Sequence, residues 1–145
     1  MAKLSNLKSY SPHKMLVEEF MITDLFTVRK DDLIELVADM MDWKNIRYTP
    51  VENAKGELIG MITSQQILNH FINHAKQNGK KKSLVKDIML KKPVTIDAKA
   101  NVKEAMKKMK KHNVPFLPVV MGKELVGLIT EHDFLRTSNR LIERK

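Results

Sequence analysis

Apolar positions along this chain change period in a fixed order, and the order occurs twice. In the second half, Val94-Thr95-Ile96 reads as a brief strand. Val102, Ala105, Met106 and Met109 follow at spacings of three and four, which predicts an amphipathic helix. Phe116 to Met121 and Leu125 to Ile129 then read as two strands, and Gly122-Lys123 suits a two-residue hairpin with glycine at its first central position. In the first half the strand is Phe26-Thr27-Val28, the helical stripe is Leu33, Leu36, Val37 and Met40, and Asn53-Ala54-Lys55-Gly56 joins strands at Tyr48–Glu52 and Glu57–Ile62. A short amphipathic helix is expected ahead of each set, over Lys14 to Met21 and over Ser83 to Met89. A closing helix is expected after Thr63 and after Thr130, the first with Ile67, Leu68, Phe71, Ile72 and Ala75 as its apolar face. The methionines on these stripes read as core filler.

The two sets are copies. Val17-Glu18-Glu19-Phe20-Met21 aligns with Val85-Lys86-Asp87-Ile88-Met89 at an offset of 68, and Pro50-Val51 with Pro118-Val119 at the same offset. Gly60-Met61-Ile62-Thr63 aligns with Gly127-Leu128-Ile129-Thr130 at 67. Ordered matches of this kind mark a duplication. The expected division is a leader over 1–13, a first repeat over 14–76, a basic linker over 77–82 and a second repeat over 83–145. One repeat with three strands buries too little surface to stand alone, so one pseudo-symmetric unit is expected, of class α+β with β-α-β-β-α repeats packed through their sheets.

Charge modifies this picture in one region. The net charge is +9, and between Lys76 and Lys111 thirteen lysines face only Asp87, Asp97 and Glu104. Such a field attracts nucleotides, nucleic acid or acidic proteins, or is simply a solvated helix face. No aromatic residue lies in that stretch to stack nucleobases. Cysteine is absent, so disulfides and thiolate metal sites are excluded. No apolar run is long enough for a membrane span and no secretory signal core is visible, so a cytoplasmic protein is expected.

The most informative chemistry is at Thr130-Glu131-His132-Asp133. Threonine followed three residues later by an acid is a capping box. The same groups suit a nucleotide: helix-start amides and a hydroxyl can donate to phosphate, and a carboxylate can accept both hydrogens of a ribose diol. Gly127 would admit an adenine ring or a neighbouring backbone. The residues alone allow both readings. In the first copy Gln66 takes the place of the acid, after Thr63. It completes the box but lacks the charge for a diol.

The ordered set Met-x₃-Pro-Val-Thr-Ile, amphipathic helix, Phe-Leu-Pro-Val-Val, Gly-Leu-Ile-Thr-x-x-Asp-Phe-Leu resembles the CBS domain, named after cystathionine β-synthase. Two in tandem resemble a CBS pair, or Bateman module, over about Lys14 to Arg136. The resemblance implies a regulatory module, often dimeric, that holds an adenosine-containing ligand between repeats and controls an attached or partner protein. AMP, ADP, ATP or S-adenosylmethionine is the implied ligand, with no cofactor required. Thr130 and Asp133 match the family's phosphate and ribose positions, with Ile22 to Thr27, Arg47 and Phe116 beside them. Thr63, Gln66 and Thr95 would form a weaker second cleft. A homodimer is expected.

Two other readings stand beside it. One is a ligand-free dimerisation or interaction module; the other is nucleic-acid binding through the lysine-rich half. Catalysis has no support, since no nucleophile elbow, phosphate loop or paired-carboxylate cluster is present. His70 and His74 are spaced to clamp a metal but lack a third ligand, and read as surface residues, as do His112 and His132.

Overall fold

In a computed structural model of the chain, residues 15–76 and 82–135 are described. The elements run α1 (Val17–Phe20), α2 (Ile34–Lys44), β1 (Tyr48–Glu52), β2 (Leu58–Thr63), α3 (Ser64–Lys76), α4 (Val85–Ile88) and β3 (Leu90–Lys91). They continue with β4 (Ile96–Asp97), α5 (Val102–His112), β5 (Phe116–Met121) and β6 (Glu124–Thr130), and a helix begins over 131–135. Two three-stranded sheets form, ordered β1-β2-β3 and β4-β5-β6, so the α+β class is as expected. The leader over 1–13 and nearly all of the basic linker lie outside the described residues.

The chain divides into two compact units, neither of them contiguous. The central unit holds Leu25–Pro93 with Lys123–Leu125; the terminal unit holds, of the described chain, residues 15–24, Val94–Gly122 and 126–135. Equivalent segments of the two repeats have therefore changed places. In the terminal unit α1 docks on the second repeat: the Val17 amide donates to Ala100 O at 2.8 Å and the Glu18 amide to Ala98 O at 3.0 Å. In the central unit α4 does the same to the first repeat: the Val85 amide donates to Asp32 O and the Lys86 amide to Lys30 O, both at 2.9 Å. Every partner is displaced by 68 residues. Val17 and Val85 are fully buried, each in the core of its unit, and this burial is what fixes such short helices. An acid three residues on reaches back to each entry amide, Glu19 Oε2 to Leu16 N and Asp87 Oδ2 to Leu84 N.

The exchange also completes the sheets. Beyond α4, Leu90 and Lys91 pair antiparallel with Met61 and Gly60 as the edge strand β3. At the matching place beyond α1, Ile22 and Leu128 form a bridge, each amide donating to the other's carbonyl. Sequence periodicity did not reveal β3. At the opposite edges, β4 pairs parallel with β5, and Val28 bridges parallel to Val51. The strands expected at Phe26-Thr27-Val28 and Val94-Thr95-Ile96 thus shorten to the Val28 bridge and to Ile96–Asp97. Each parallel edge is held by only one or two residue pairs.

The helices differ from expectation in which face they bury. In α5 the core stripe is Val102, Ala105 and Met109, while Met106 is exposed. In α2 the core stripe is Ile34, Val37 and Met41; Leu36 and Met40, expected inside, face outward. Of the apolar face expected on α3, only Ile67 is buried, and Leu68, Phe71, Ile72 and Ala75 are exposed. Helices α2 and α5 end on Asn45 and Asn113, both left-handed with φ of 54° and 51°. Asparagine tolerates that conformation better than most side chains. The hairpin expected at Gly122 forms, with φ of 62° there.

Candidate functional site

Strand β6 ends at Thr130 and the chain turns directly into the helix over 131–135. The amide of Thr130 donates to Asp133 Oδ2 at 2.7 Å, and its hydroxyl donates to the same oxygen at 3.2 Å. Asp133 is only 4% exposed. A carboxylate held out of bulk water depends on such donors, because an unpaired charge there is costly. The Glu131 amide donates to Pro115 O at 2.9 Å, which ties the start of the helix to the residue before β5.

The first repeat builds the same corner with different chemistry. The Thr63 amide donates to Gln66 Oε1 at 2.9 Å, and the Gln66 amide donates to Thr63 Oγ1 at 3.1 Å. This is a reciprocal capping box. The Ser64 amide donates to Arg47 O at 2.9 Å, the counterpart of the Pro115 contact. Gln66 thus places a neutral amide where the second repeat has a carboxylate.

Among the residues singled out from sequence, Ile22, Thr95, Phe116, Thr130 and Asp133 belong to the terminal unit. Thr27, Arg47, Thr63 and Gln66 belong to the central unit. Ile22 uses its backbone in the bridge to Leu128. Phe116 is buried in β5. The Thr27 hydroxyl donates to Glu52 Oε1 at 2.8 Å, a partner that sequence spacing did not suggest. Arg47 is exposed and forms no ion pair among the described residues. His112 and His132 are exposed as well. His70 and His74 stack with ring centroids 5.2 Å apart, and no group of three metal-ligating side chains occurs among the described residues.

Gly127 admits backbone. A Cβ there would collide with the Met21 side chain and meet Ile22 O at 3.1 Å. Gly60 does the same service in the central unit, where a Cβ would stand 2.9 Å from Leu90 O and 2.7 Å from Met89 Sδ. The two glycines let the exchanged segments cross the strands. A paired signal for this lay in the sequence, since each glycine and each crossing methionine recurs in the other repeat.

No described helix is long and apolar enough to cross a membrane. Comparison with known proteins agrees with the repeat structure. The CBS domain family matches residues 17–73 and 85–140, well over half of the chain. An inosine-5'-monophosphate dehydrogenase of Korarchaeum cryptofilum is 34% identical over 129 residues; the match takes in 88% of this chain but 25% of that enzyme. The chain thus spans about a quarter of the length of this relative. A CBS domain-containing protein of Dictyostelium discoideum is 30% identical over 138 residues, covering 90% of this chain and 95% of its own length. Among solved structures, the CBS domain pair of protein MJ0100, in complex with 5'-methylthioadenosine and S-adenosyl-L-methionine, superimposes with a TM-score of 0.73 at 28% identity. It covers 87% of this chain and 97% of that one. Two copies of one motif, each ending in a threonine-led helix start, and a family match to both copies make this chain a tandem pair of CBS domains.

Proposed function

We propose that the chain is a ligand-sensing regulatory module that binds an adenosine-containing molecule at the Asp133 corner and passes its occupancy to an attached or partner protein. The observation that carries this is the shielded carboxylate of Asp133, held by Thr130 at the mouth of a helix. Both oxygens of a carboxylate offer lone pairs, which suits a ribose 2′,3′-diol. Low exposure reduces competition from water for those bonds. The related MJ0100 pair was solved with two adenosine-containing ligands, which supports the same class here. Ile22 and Phe116, in the same unit as Asp133, are the further residues proposed to line the site.

The Gln66 corner supports an asymmetric module. Its side-chain oxygen accepts from the Thr63 amide and its backbone amide donates to the Thr63 hydroxyl, and it has no charge to offer a diol. The reading is therefore one strong site at Thr130 and Asp133, and a weak one at Thr63 and Gln66. A ligand regulates only by the difference in its affinity for two arrangements of the module. The dehydrogenase relative offers one pattern, a CBS pair joined to a much longer enzyme. A homodimer in the cytoplasm remains part of this proposal.

Thermal shift and calorimetry with AMP, ADP, ATP, 5'-methylthioadenosine and S-adenosylmethionine test it. A ligand present at about one hundred times its Kd should stabilise the chain by roughly 2.7 kcal/mol. Asp133→Asn keeps an oxygen for the Thr130 amide but removes the charge, so affinity should fall at least tenfold while the unliganded fold persists. Gln66→Ala should leave that affinity unchanged. No stabilisation by any of the five compounds, or equal affinity in Asp133→Asn, refutes the proposal.

A further inference from the structure

Helix α5 carries lysines in a pattern that its fold does not require. Lys103, Lys107, Lys110 and Lys111 recur at spacings of four, three and one, on the side away from the buried Val102, Ala105 and Met109. Lys107, Lys110 and Lys111 are exposed, and among the described residues they form no ion pair, not even with Glu104 one turn from Lys107. The first repeat supplies the control. Subtracting the repeat offset of 68 places Glu35, Asp39 and Asp42 on α2 where α5 has Lys103, Lys107 and Lys110. The two helices are of equal length and both end on a left-handed asparagine, so the element tolerates either sign of charge. Nor does the helix dipole select lysine throughout, since Lys103 lies in the first turn, where a cation is disfavoured.

We infer that this face of α5 docks the phosphate backbone of a double-stranded nucleic acid without reading its sequence. The rival polyanion is an acidic protein surface. Protein interfaces have an apolar centre depleted in lysine, and the large apolar residue that α5 exposes is Met106 alone, at 41%. A phosphate backbone asks for point charges, which lysine supplies. A duplex is favoured over a single strand because no aromatic residue lies between Lys76 and Lys111 to stack on unpaired bases. Length agrees as well. From Lys103 to Lys111 the helix rises about 12 Å, and a duplex strand presents a phosphate about every 3.4 Å of its axis, so three or four fall within reach of the four lysines. The inference stands apart from the ligand at Asp133 and from the homodimer.

Fluorescence anisotropy of a labelled short duplex of random sequence, with the full chain, tests it. Neutralising three or four phosphates should give a slope of about −3 for log affinity against log salt, a loss of roughly sixtyfold between about 50 and 200 mM. Lys107→Glu/Lys110→Glu should lower affinity at least tenfold and flatten the slope by about two, with folding confirmed by circular dichroism. Lys107→Arg/Lys110→Arg should keep both. Lys55→Glu/Lys123→Glu changes the net charge equally, at exposed lysines of the two hairpins, and should alter affinity by no more than about twofold. Absent or salt-independent binding, or equal losses from the two charge reversals, overturns the inference. So does a single strand that binds more tightly than the duplex, or polyglutamate that displaces the duplex at equal charge concentration.

Discussion

Replacing Thr49 with valine should stabilise this protein. Thr49 lies in β1 with no exposed surface, and its hydroxyl has no hydrogen-bond partner among the described residues. Its equivalent in β5 is Leu117, which is also fully buried. The first repeat therefore carries a polar atom where the second carries hydrocarbon. A buried hydroxyl without a partner costs about 1–3 kcal/mol. Valine keeps the branched shape and exchanges that oxygen for a methyl group, whose burial is itself worth about 0.8 kcal/mol. Allowing for imperfect fit, the expected gain is about 1–2 kcal/mol. For 145 residues the unfolding entropy is about 0.3 kcal/mol/K, so Tm should rise by about 3–7 °C. Urea unfolding followed by circular dichroism should show a higher midpoint at unchanged slope. Thr49→Ser is the control: it keeps the unsatisfied oxygen, deletes a packed methyl and should lose stability. A valine variant weaker than wild type would show that the hydroxyl is satisfied after all.

Other substitutions probe the remaining features. Val17→Ala and Val85→Ala each open a cavity under an exchanged helix and should each cost about 2–3 kcal/mol by urea unfolding, equally in the two units. Gly60→Ala should cost about 1–3 kcal/mol, and more than Gly127→Ala, because the backbone carbonyl of Leu90 must move while at Gly127 the tightest neighbour is the flexible Met21 side chain. Comparing the two melting temperatures decides it. Asn101 accepts the Glu104 amide at 2.8 Å as the cap of α5, so Asn101→Ala should lose about 1 kcal/mol and Asn101→Asp almost none.

Local features of the fold were legible because each depends on residues close together in sequence. The Thr130 and Asp133 corner, the Gln66 departure and the Gly122 hairpin all lie within a few positions and leave direct marks. Of the α5 stripe, Val102, Ala105 and Met109 could be read because lysines fill much of the rest of that helix, whereas Met106, expected with them, lies outside. In α2, Ile34, Leu36, Val37, Met40, Met41 and Trp43 supply two overlapping stripes, and spacing cannot tell which one meets the core. Exchange of α1 and α4 was hidden for a related reason. Val17 and Val85 are chemically identical tenants, so an apolar pattern shows that each is buried but not in which unit. The Thr27 bond to Glu52 spans 25 residues and leaves no local trace.

The traded segments make the two halves topologically dependent on one another. A protease nick between the repeats should yield fragments that still migrate together in a native gel and part only in denaturant, because each fragment holds a helix that the other unit needs. Separately expressed halves should be unstable alone and recover structure when refolded as a mixture.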